Sequence, residues 1–221
     1  MPNILAIETS SDACSLALLS NGKEFYFHEI IPKQHTERLL KEIKNILESA
    51  DIKLSKLDAI GVGCGPGSFT GIRLACSTAQ GLAFSNNLKT IQVSSLDVLA
   101  HKVYKEFNCE KVISLIDARM KQLYVGEYSY NQDGLLDSKI SMISLAEFNC
   151  NTANAKTHFV GDGCSLVAPL LNKFSRNVHL NLPNASDLLE ICINKLEKME
   201  VLDPSHLLPI YLSGEEQWRK S

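Results

Sequence analysis

One order of strand-like and helix-like segments occurs twice along the chain, and this repetition most constrains what the chain can fold into. Short apolar segments separated by turn-forming residues, Asn21-Gly22 among them, predict an antiparallel meander at the start of each half. These segments are residues 3–7, 15–20 and 25–30 in the first half, and residues 112–116, 123–130 and the neighbourhood of Ile140 in the second. The repetition predicts a duplicated domain.

Helical periodicity follows the first meander. Apolar residues recur three and four positions apart over 35–50, with charged residues between them, which predicts an amphipathic helix. A buried strand at 59–63, a glycine-rich turn and a second helix over 71–84 come next. The remaining predicted elements are strands at 90–93 and 158–160, a helix capped by Ser94 or Ser95, and helices near 165–174 and 186–199.

This pattern places the chain in the α/β class, in the duplicated ribonuclease H-like arrangement of actin, the heat-shock ATPases and the sugar kinases. We expect two small domains, residues 1–108 and 109–221. That fold usually holds a nucleotide between its halves, and each half here opens with a strand ending in an acid, Glu8 or Asp117. With Arg119, these acids are candidate cleft residues, although carboxylates at strand ends are more often turn acceptors.

Composition and charge exclude several classes of protein. A net charge of −3, with acids and bases interleaved, gives no field strong enough to hold nucleic acid. The seven cysteines are odd in number and form no Cys-x-x-Cys pair, which indicates reduced, buried thiols. The six histidines include no pair at metal-binding spacing. No apolar run is long enough to span a membrane and no signal peptide is present, so we expect a cytoplasmic protein.

The stretch GCGPGSFTGIRLACSTAQGLA, residues 63–83, has the outline of a phosphate loop before a helix but lacks the lysine that such a loop requires. Its glycines also miss the spacing of a dinucleotide fingerprint, and Ser68 does not lie in a Gly-x-Ser-x-Gly motif. A structural turn remains, made by Gly65, Pro66 and Gly67, with Ser68 or Thr70 as the helix cap. Free amides at such a cap attract anions, but a cap without a ligand is the commoner case.

Two interpretations of the helix over 71–84 stay open. Gly71, Ala75 and Ala79 share one face, and their small side chains allow a close backbone approach. The face packs either against the helix over 35–50 of the same chain or against a partner built in the same way. A partner stacked across both helices would bury on the order of 800 Å² per side.

Seven stretches, in order and over nearly the full length of the chain, resemble the TsaB family. They are ILAIETSSDACSLAL, HTERLLKEIKNIL, LDAIGVGCGPGSFTGIRLACSTAQGLA, SSLDVLA, IDARMKQLYVGEY, VGDG and LLPIYL. The helix after the glycine loop is the most specific of these, and the Asp-Ala-Arg turn is the second. The resemblance implies a two-domain actin-like fold.

The resemblance also implies an accessory role in tRNA modification. Members of this family lack a transferase centre and act as obligate dimerisation partners of the catalytic subunit TsaD, together with the ATPase TsaE. The threonylcarbamoyl group of threonylcarbamoyl-AMP is moved to N6 of the adenosine beside the anticodon. We therefore expect no catalytic residue, metal or cofactor in this chain. ATP, threonylcarbamoyl-AMP and a metal are expected on partner subunits, and tRNA is expected to meet this chain only through the complex.

The family's association surface is formed by its first two long helices, here 35–50 and 71–84, and the same surface is expected to form homodimers when the partner is absent. TsaD carries a His-x-x-x-His metal pair, from which this chain departs because Leu39 follows His35. The tail departs as well, since Ser213 stands where the family often has arginine. The residues expected at the surface are His35, Leu39, Leu40, Ile43, Ile46, Gly71, Ile72, Ala75 and Ala79.

Three functions are considered on these grounds. The first is a non-catalytic scaffold subunit, which the absent metal pair and the small-residue helix favour. The second is a glycoprotease-like peptidase, which requires a nucleophile or metal ligand such as Ser68 or His35. The third is an independent nucleotide-binding ATPase that uses Glu8 and Asp117.

Overall fold

The computed structural model describes residues 1–131 and 134–212, so the tail from Ser213 onward lies outside the described residues. The chain forms two compact units. Unit 1 contains Met1–Val98 and Pro183–Ile210, and unit 2 is built mainly from Leu99–Leu182. This division differs from the predicted domains 1–108 and 109–221, because the segment after residue 182 returns to pack on the first sheet.

Unit 1 is organised around a five-stranded sheet with the order β3-β2-β1-β4-β5. The central strand β1 pairs antiparallel with β2 and parallel with β4. Every residue of β1 and β4 is buried, which is the pattern of strands covered on both faces. The strands are β1 (Ile4–Glu8), β2 (Ala13–Ser20), β3 (Lys23–Ile30), β4 (Ala59–Gly63) and β5 (Lys89–Val93).

Helices cover both faces of this sheet. Helices α1 (His35–Ser49) and α2 (Phe69–Asn86) pack on the face that carries Leu5. The opposite face carries Ile4 and Ala6, because successive strand residues point to opposite sides, and it packs against α5 (Ala185–Glu197). Helix α3 (Ser95–Phe107) follows β5.

Unit 2 repeats the strand arrangement of unit 1. Its sheet has the order β10-β9-β6-β7-β8, and the central strand β6 pairs antiparallel with β7 and parallel with β9. The predicted α/β class with a duplicated strand order is therefore confirmed. The strands are β6 (Lys111–Arg119), β7 (Gln122–Asn131), β8 (Gly134–Ser144), β9 (Thr157–Val160) and β10 (Val178–His179).

The helix predicted near 165–174 is broken in the structure. A 3₁₀ turn over Asp162–Val167 leads into the four-residue helix α4 (Ala168–Leu171), and a second 3₁₀ segment follows over Asn172–Asn177. Proline lies in the first turn of α4, where it is tolerated only because the helix starts there. Phe174 has φ −111° and ψ 18°, outside the helical region. The apolar spacing over 165–174 therefore indicated which residues are buried, but the segment is not one continuous helix.

Two predictions from composition can be compared with the described chain. All seven cysteines are free thiols, and all except Cys150 are buried. Among the described helices, none combines the length and the apolar character needed to cross a membrane.

Candidate functional site

The loop between β4 and α2 is held by backbone hydrogen bonds on both of its sides. Cys64 N–H donates to Val93 O at 2.9 Å, and Ser95 N–H donates to Gly65 O at 2.8 Å. From the returning segment, Ile210 N–H donates to Cys64 O at 2.8 Å. The Gly65-Pro66 peptide bond is cis. The loop is thus part of the packed interior of unit 1.

The start of α2 presses against the turn that follows β1. Ser68 N–H donates to Ser10 O at 2.7 Å, and the Thr9 hydroxyl donates to Gly71 O at 2.8 Å. A Cβ atom at Gly67 would overlap Ser10 O, and one at Gly71 would overlap Thr9 O. Both glycines are therefore required by close contacts within the chain itself.

Ser68, and not Thr70, is the cap of α2. Its Oγ accepts a hydrogen bond from Gly71 N–H at 3.3 Å, and the helix begins at the next residue, Phe69. Thr70 lies inside the first turn with its side chain exposed. The Ser68 hydroxyl is thus engaged in helix capping.

Glu8 forms an internal clamp beside the glycine loop. Its side chain is fully buried, with Oε1 accepting from Ser10 N–H at 2.6 Å and Oε2 accepting from the Ser95 hydroxyl at 3.2 Å. A Cβ atom at Gly63 would overlap the same carboxyl group. Burial raises the pKa of Glu8, against the opposing effect of these hydrogen bonds. The prediction of Glu8 as a cleft acid is corrected, because both of its oxygens are bound and enclosed.

Asp117 and Arg119 form a turn in unit 2. Asp117 Oδ1 accepts from Arg119 N–H at 2.8 Å, and its Oδ2 accepts from Arg119 Nη1 at 2.9 Å. Asp117 N–H in turn donates to Asp162 Oδ1 at 3.1 Å. The Arg119 side chain is 84% exposed. Asp117 therefore acts as a turn acceptor, while Glu8 belongs to the other unit.

The same turn has an unusual backbone. Arg119, Met120 and Lys121 have φ values of 64°, 48° and 61°, in the left-handed region that disfavours residues with side chains of this size. A shallow cavity of about 440 Å³ adjoins the turn, and neither feature was predicted from the sequence. The cavity is lined by Met120, Lys121, Gln122, Ser144, Leu145 and Ala146.

The helix residues predicted to bind a partner are buried within the chain, which corrects that assignment. Of the nine, only Leu40 is exposed, at 59%. The other eight face the first sheet or the interior beside it, because the most apolar face of each helix is the face that the sheet itself covers. These eight are His35, Leu39, Ile43, Ile46, Gly71, Ile72, Ala75 and Ala79.

The outer side of α2 carries a different set of residues, which we call the α2 outer stripe. Phe69 and Phe84, near its two ends, are 67% and 78% exposed. Ser77 and Gly81 lie exposed between them, and Arg73 is partly exposed. Steps of four, four, four and three residues place these five positions on one side of a helix.

Contacts within the stripe hold its Phe69 end in place. The Arg73 guanidinium carbon lies 3.2 Å from the centroid of the Phe69 ring, and Arg73 Nη1 donates to Phe69 O at 3.2 Å. In the part of the chain that the structure describes, a Cβ atom at Gly81 would meet nothing within 4 Å. Sequence reasoning missed this stripe because it ranked helix faces by apolar content. The signal that the sequence did offer was a glycine inside a predicted helix, on the same side as two phenylalanines.

His35 lies buried at the start of α1, and its Nε2 has no hydrogen-bond partner in the described chain. One turn later stands Leu39, which is also buried. Among residues 1–131 and 134–212, no three His, Cys, Asp or Glu side chains are grouped closely enough to hold a metal ion.

The family model and two relatives that match this chain carry names from the modification of adenosine in tRNA by a threonylcarbamoyl group. The family model described as "TsaD: tRNA N6-adenosine threonylcarbamoyltransferase" matches residues 28–200. A protein of Haemophilus influenzae named "tRNA threonylcarbamoyladenosine biosynthesis protein TsaB" is 31% identical, with 98% of this chain and 96% of that protein covered. The Escherichia coli protein of the same name is 32% identical over 98% of this chain and 97% of its own length.

A solved structure is also similar over nearly the whole chain. It is described as an uncharacterized protein with similarity to peptidase YEAZ from Pseudomonas aeruginosa. The TM-score is 0.87 and the sequence identity 34%, with 96% of this chain and 100% of that chain covered. The similarity therefore extends through both units.

Proposed function

The chain belongs to the TsaB family of tRNA threonylcarbamoyladenosine biosynthesis proteins, and on that premise we propose that it is a non-catalytic scaffold subunit. In this proposal it binds and aligns the transferase TsaD, which transfers the threonylcarbamoyl group to adenosine in tRNA. TsaE joins the same assembly, and tRNA is met through the complex. We further propose a cytoplasmic location, since the substrate is tRNA.

The observation that carries this proposal is the α2 outer stripe. A glycine inside a helix is about 1 kcal/mol less favourable than alanine, so an exposed helical glycine needs a reason. Residues 1–131 and 134–212 supply none at Gly81, because, apart from the neighbouring backbone of α2, none of their atoms lies within 4 Å of the place where a Cβ atom would stand. Close approach of a partner's backbone does supply a reason. Phe69 and Phe84 then contact the partner on either side, as large exposed aromatic residues do at binding hot spots.

The related fold of the partner supports a paired geometry. The matched family model describes the transferase, and its match over residues 28–200 includes both α1 and α2. Two chains of one fold can pair through the same helices about a pseudo-two-fold axis, as identical chains do in an isologous dimer. The same surface would form a homodimer when the partner is absent. A stable interface of this kind buries about 800 Å² on each partner.

Cofactors are assigned to the partner subunits in this proposal. ATP and threonylcarbamoyl-AMP would bind to TsaD and TsaE, with the metal on the transferase. The enclosed Glu8 and the turn-bound Asp117 support this division, since both carboxylates already accept hydrogen bonds within their own units.

The two alternative functions receive less support from the geometry. A peptidase that depends on Ser68 would have to release the hydroxyl that caps α2. An independent ATPase that depends on Glu8 would have to open a fully buried carboxyl group. Calorimetry of the isolated chain with ATP and Mg²⁺ is expected to give no saturable heat, and tight binding would favour the ATPase.

Reconstitution of the modification tests the proposed function. Purified TsaD and TsaE, threonylcarbamoyl-AMP, ATP and unmodified tRNA are combined with and without this chain, and modified adenosine is measured by mass spectrometry. We expect product to form only when the chain is present. Equal product without the chain would contradict the scaffold role.

A double variant connects this activity to the outer stripe. Phe69→Ala with Phe84→Ala should lose at least tenfold in product while the protein keeps its circular dichroism spectrum, because only exposed aromatic contacts are removed. The matched control is Leu135→Ala with Leu136→Ala, two residues of β8 that are 57% and 68% exposed in unit 2. Equal loss in both double variants would show that the stripe has no special role.

A further inference from the structure

Two cysteine side chains meet where the glycine loop touches α2. Cys64 directly follows β4, and Cys76 lies in the middle of α2. Their Sγ atoms are 3.6 Å apart, and the Cys76 thiol donates to Cys64 Sγ. The two side chains are 0% and 3% exposed, within the core of unit 1. No role in the scaffold function described above requires two thiols at this contact.

We propose that Cys64 and Cys76 form a redox-active dithiol, which a hydroperoxide oxidises to a disulfide joining the glycine loop to α2. The sulfur atoms need to approach by about 1.5 Å, since a disulfide bond is about 2.05 Å long. The bond therefore requires the two side chains to move toward each other. This inference concerns the chemistry of the chain and does not depend on the proposed function.

The contact makes each thiol the hydrogen-bond partner of the other, so the two thiols ionise as a coupled pair. The Cys64 thiol donates to Val62 O at 3.5 Å in the neutral pair. When Cys76 loses its proton, the Cys64 thiol is the adjacent donor that can turn to stabilise the thiolate. The hydrogen bond between the two therefore lowers the pKa of Cys76 and raises that of Cys64, whose pKa burial raises further. We take Cys76 as the sulfur that attacks first, because thiolates and not thiols attack and Cys76 is also the less enclosed of the two, at 3% against 0% exposed.

The reaction balances in two steps. The Cys76 sulfur attacks the peroxide oxygen, the O–O bond breaks, and Cys76 sulfenic acid and one molecule of water form from hydrogen peroxide. The Cys64 sulfur then attacks the sulfenic sulfur, an S–S bond forms, and hydroxide leaves with the thiol proton as a second molecule of water. Because both sulfurs are enclosed, the rate is set by local opening of α2 above them.

The linkage would fix a short stretch of chain on a rigid support. Cys64 is already held by backbone hydrogen bonds to Val93 and Ile210, so its position at the end of β4 is fixed. A bond from this position to Cys76 holds the first half of α2 against the sheet. Closing a short loop in the unfolded chain raises the melting temperature, here by on the order of 5 °C.

Peptide mapping of the full-length protein tests the proposal directly. Reduced protein is treated with hydrogen peroxide, alkylated, digested without reductant and examined by mass spectrometry. We expect a linked peptide containing Cys64 and Cys76, a fall in the thiol count of the denatured protein from seven to five, and reversal by dithiothreitol. The wild-type result stands on its own, and failure of tRNA modification would leave it unaffected.

Two serine variants supply the comparison. Cys76→Ser should give no linked product, whereas Cys14→Ser should react like the wild type, because Cys14 lies buried in the same core cluster but outside the pair. The proposal is overturned if all seven thiols of the wild type survive the treatment, if Cys64 and Cys76 are oxidised separately to sulfinic acids, or if the first disulfide joins other cysteines.

Discussion

The two units share one order of strands and differ in their helices. In unit 1, α1 lies between β3 and β4, and the 18-residue α2 lies between β4 and β5. At the corresponding places in unit 2, residues 145–156 contain no helix and α4 has only four residues between 3₁₀ segments. Long helices are therefore not necessary to cover a sheet of this arrangement. The outer sides of the long helices in unit 1 are therefore candidates for a role other than covering the sheet.

The glycines of the two units sharpen this difference. In the loop after β9, a Cβ atom at Gly161 would overlap Leu115 O, and one at Gly163 would crowd the same residue. Gly67 and Gly71 meet the first turn of unit 1 in the same way. Gly81 is the exception within α2, since a Cβ atom there would meet no atom of the described residues. Glycines at the loops thus serve the fold, whereas the glycine of the outer stripe is the one to which the proposal assigns a role in association.

The largest expected effect comes from a methyl group at a loop glycine. Gly71→Ala should lower the free energy of unfolding by about 2–4 kcal/mol, because its Cβ would overlap the backbone oxygen of Thr9, which the β1 turn holds in place. Urea denaturation followed by circular dichroism measures the change. Wild-type stability in this variant would mean that the start of α2 moves freely away from the turn.

The second effect concerns Glu8, the buried acid at the end of β1. Burial raises the pKa of Glu8 above 4.5, so the folded state retains a proton that the unfolded state releases. The free energy of unfolding should therefore fall as the pH rises above 4.5 through the raised pKa, by at most about 1.4 kcal/mol per pH unit.

The isosteric variant Glu8→Gln isolates that contribution. We expect the difference in stability between the variant and the wild type to shift in favour of the variant with increasing pH. Denaturation curves at a series of pH values give this difference. A difference independent of pH would show that Glu8 is ionised in the folded protein at no cost.

A third and smaller effect compares two hairpin turns. The turn between β2 and β3 uses Asn21 and Gly22 at φ 51° and 77°, which is the preferred pair for such a turn. The turn between β6 and β7 uses Met120 and Lys121 at similar angles. Lys121→Gly should therefore stabilise the protein by about 1 kcal/mol, which thermal denaturation would detect. Destabilisation would indicate that the Lys121 side chain makes contacts that stabilise the turn by more than its left-handed backbone costs.

The smallest effect is expected at the outer stripe. Gly81→Ala should raise the free energy of unfolding by about 0.5–1 kcal/mol, because alanine favours the helix and the added methyl group meets no atom of the described residues. The same substitution should weaken association. A gain in stability combined with a loss of binding would show that Gly81 is not needed for folding but is needed for association. A loss of stability would instead show that Gly81 serves the fold, as the loop glycines do.

Local patterns in the sequence predicted most of the fold. Strand alternation and helical spacing depend on neighbouring residues, so α1 and α2 were located to within two residues. The return of α5 to unit 1 was missed because contacts such as that of Gly61 with Cys192 join distant segments. The break at α4 had a local signal in Pro169, which apolar spacing outweighed.

The proposed association surface was harder to predict for a physical reason. An amphipathic helix presents its apolar face to whatever covers it, and the periodicity does not say whether that is the chain's own sheet or a partner. Leu39 and Ala75 are residue types that are common at interfaces, but here they are buried in the core of unit 1. The exposed positions, such as Phe84, are too few and too mixed in character to produce a periodic signal.

The most direct test of the central claim is the affinity of this chain for purified TsaD, measured by isothermal titration calorimetry for two arginine variants. Gly81→Arg places a long side chain on the outer stripe, and the control Asn194→Arg places one on the exposed side of α5 in the same unit. We predict that Gly81→Arg weakens binding by about 100-fold or more while keeping a cooperative unfolding transition, and that Asn194→Arg stays within about twofold of the wild type. Binding by folded Gly81→Arg that matches the wild type would contradict the claim.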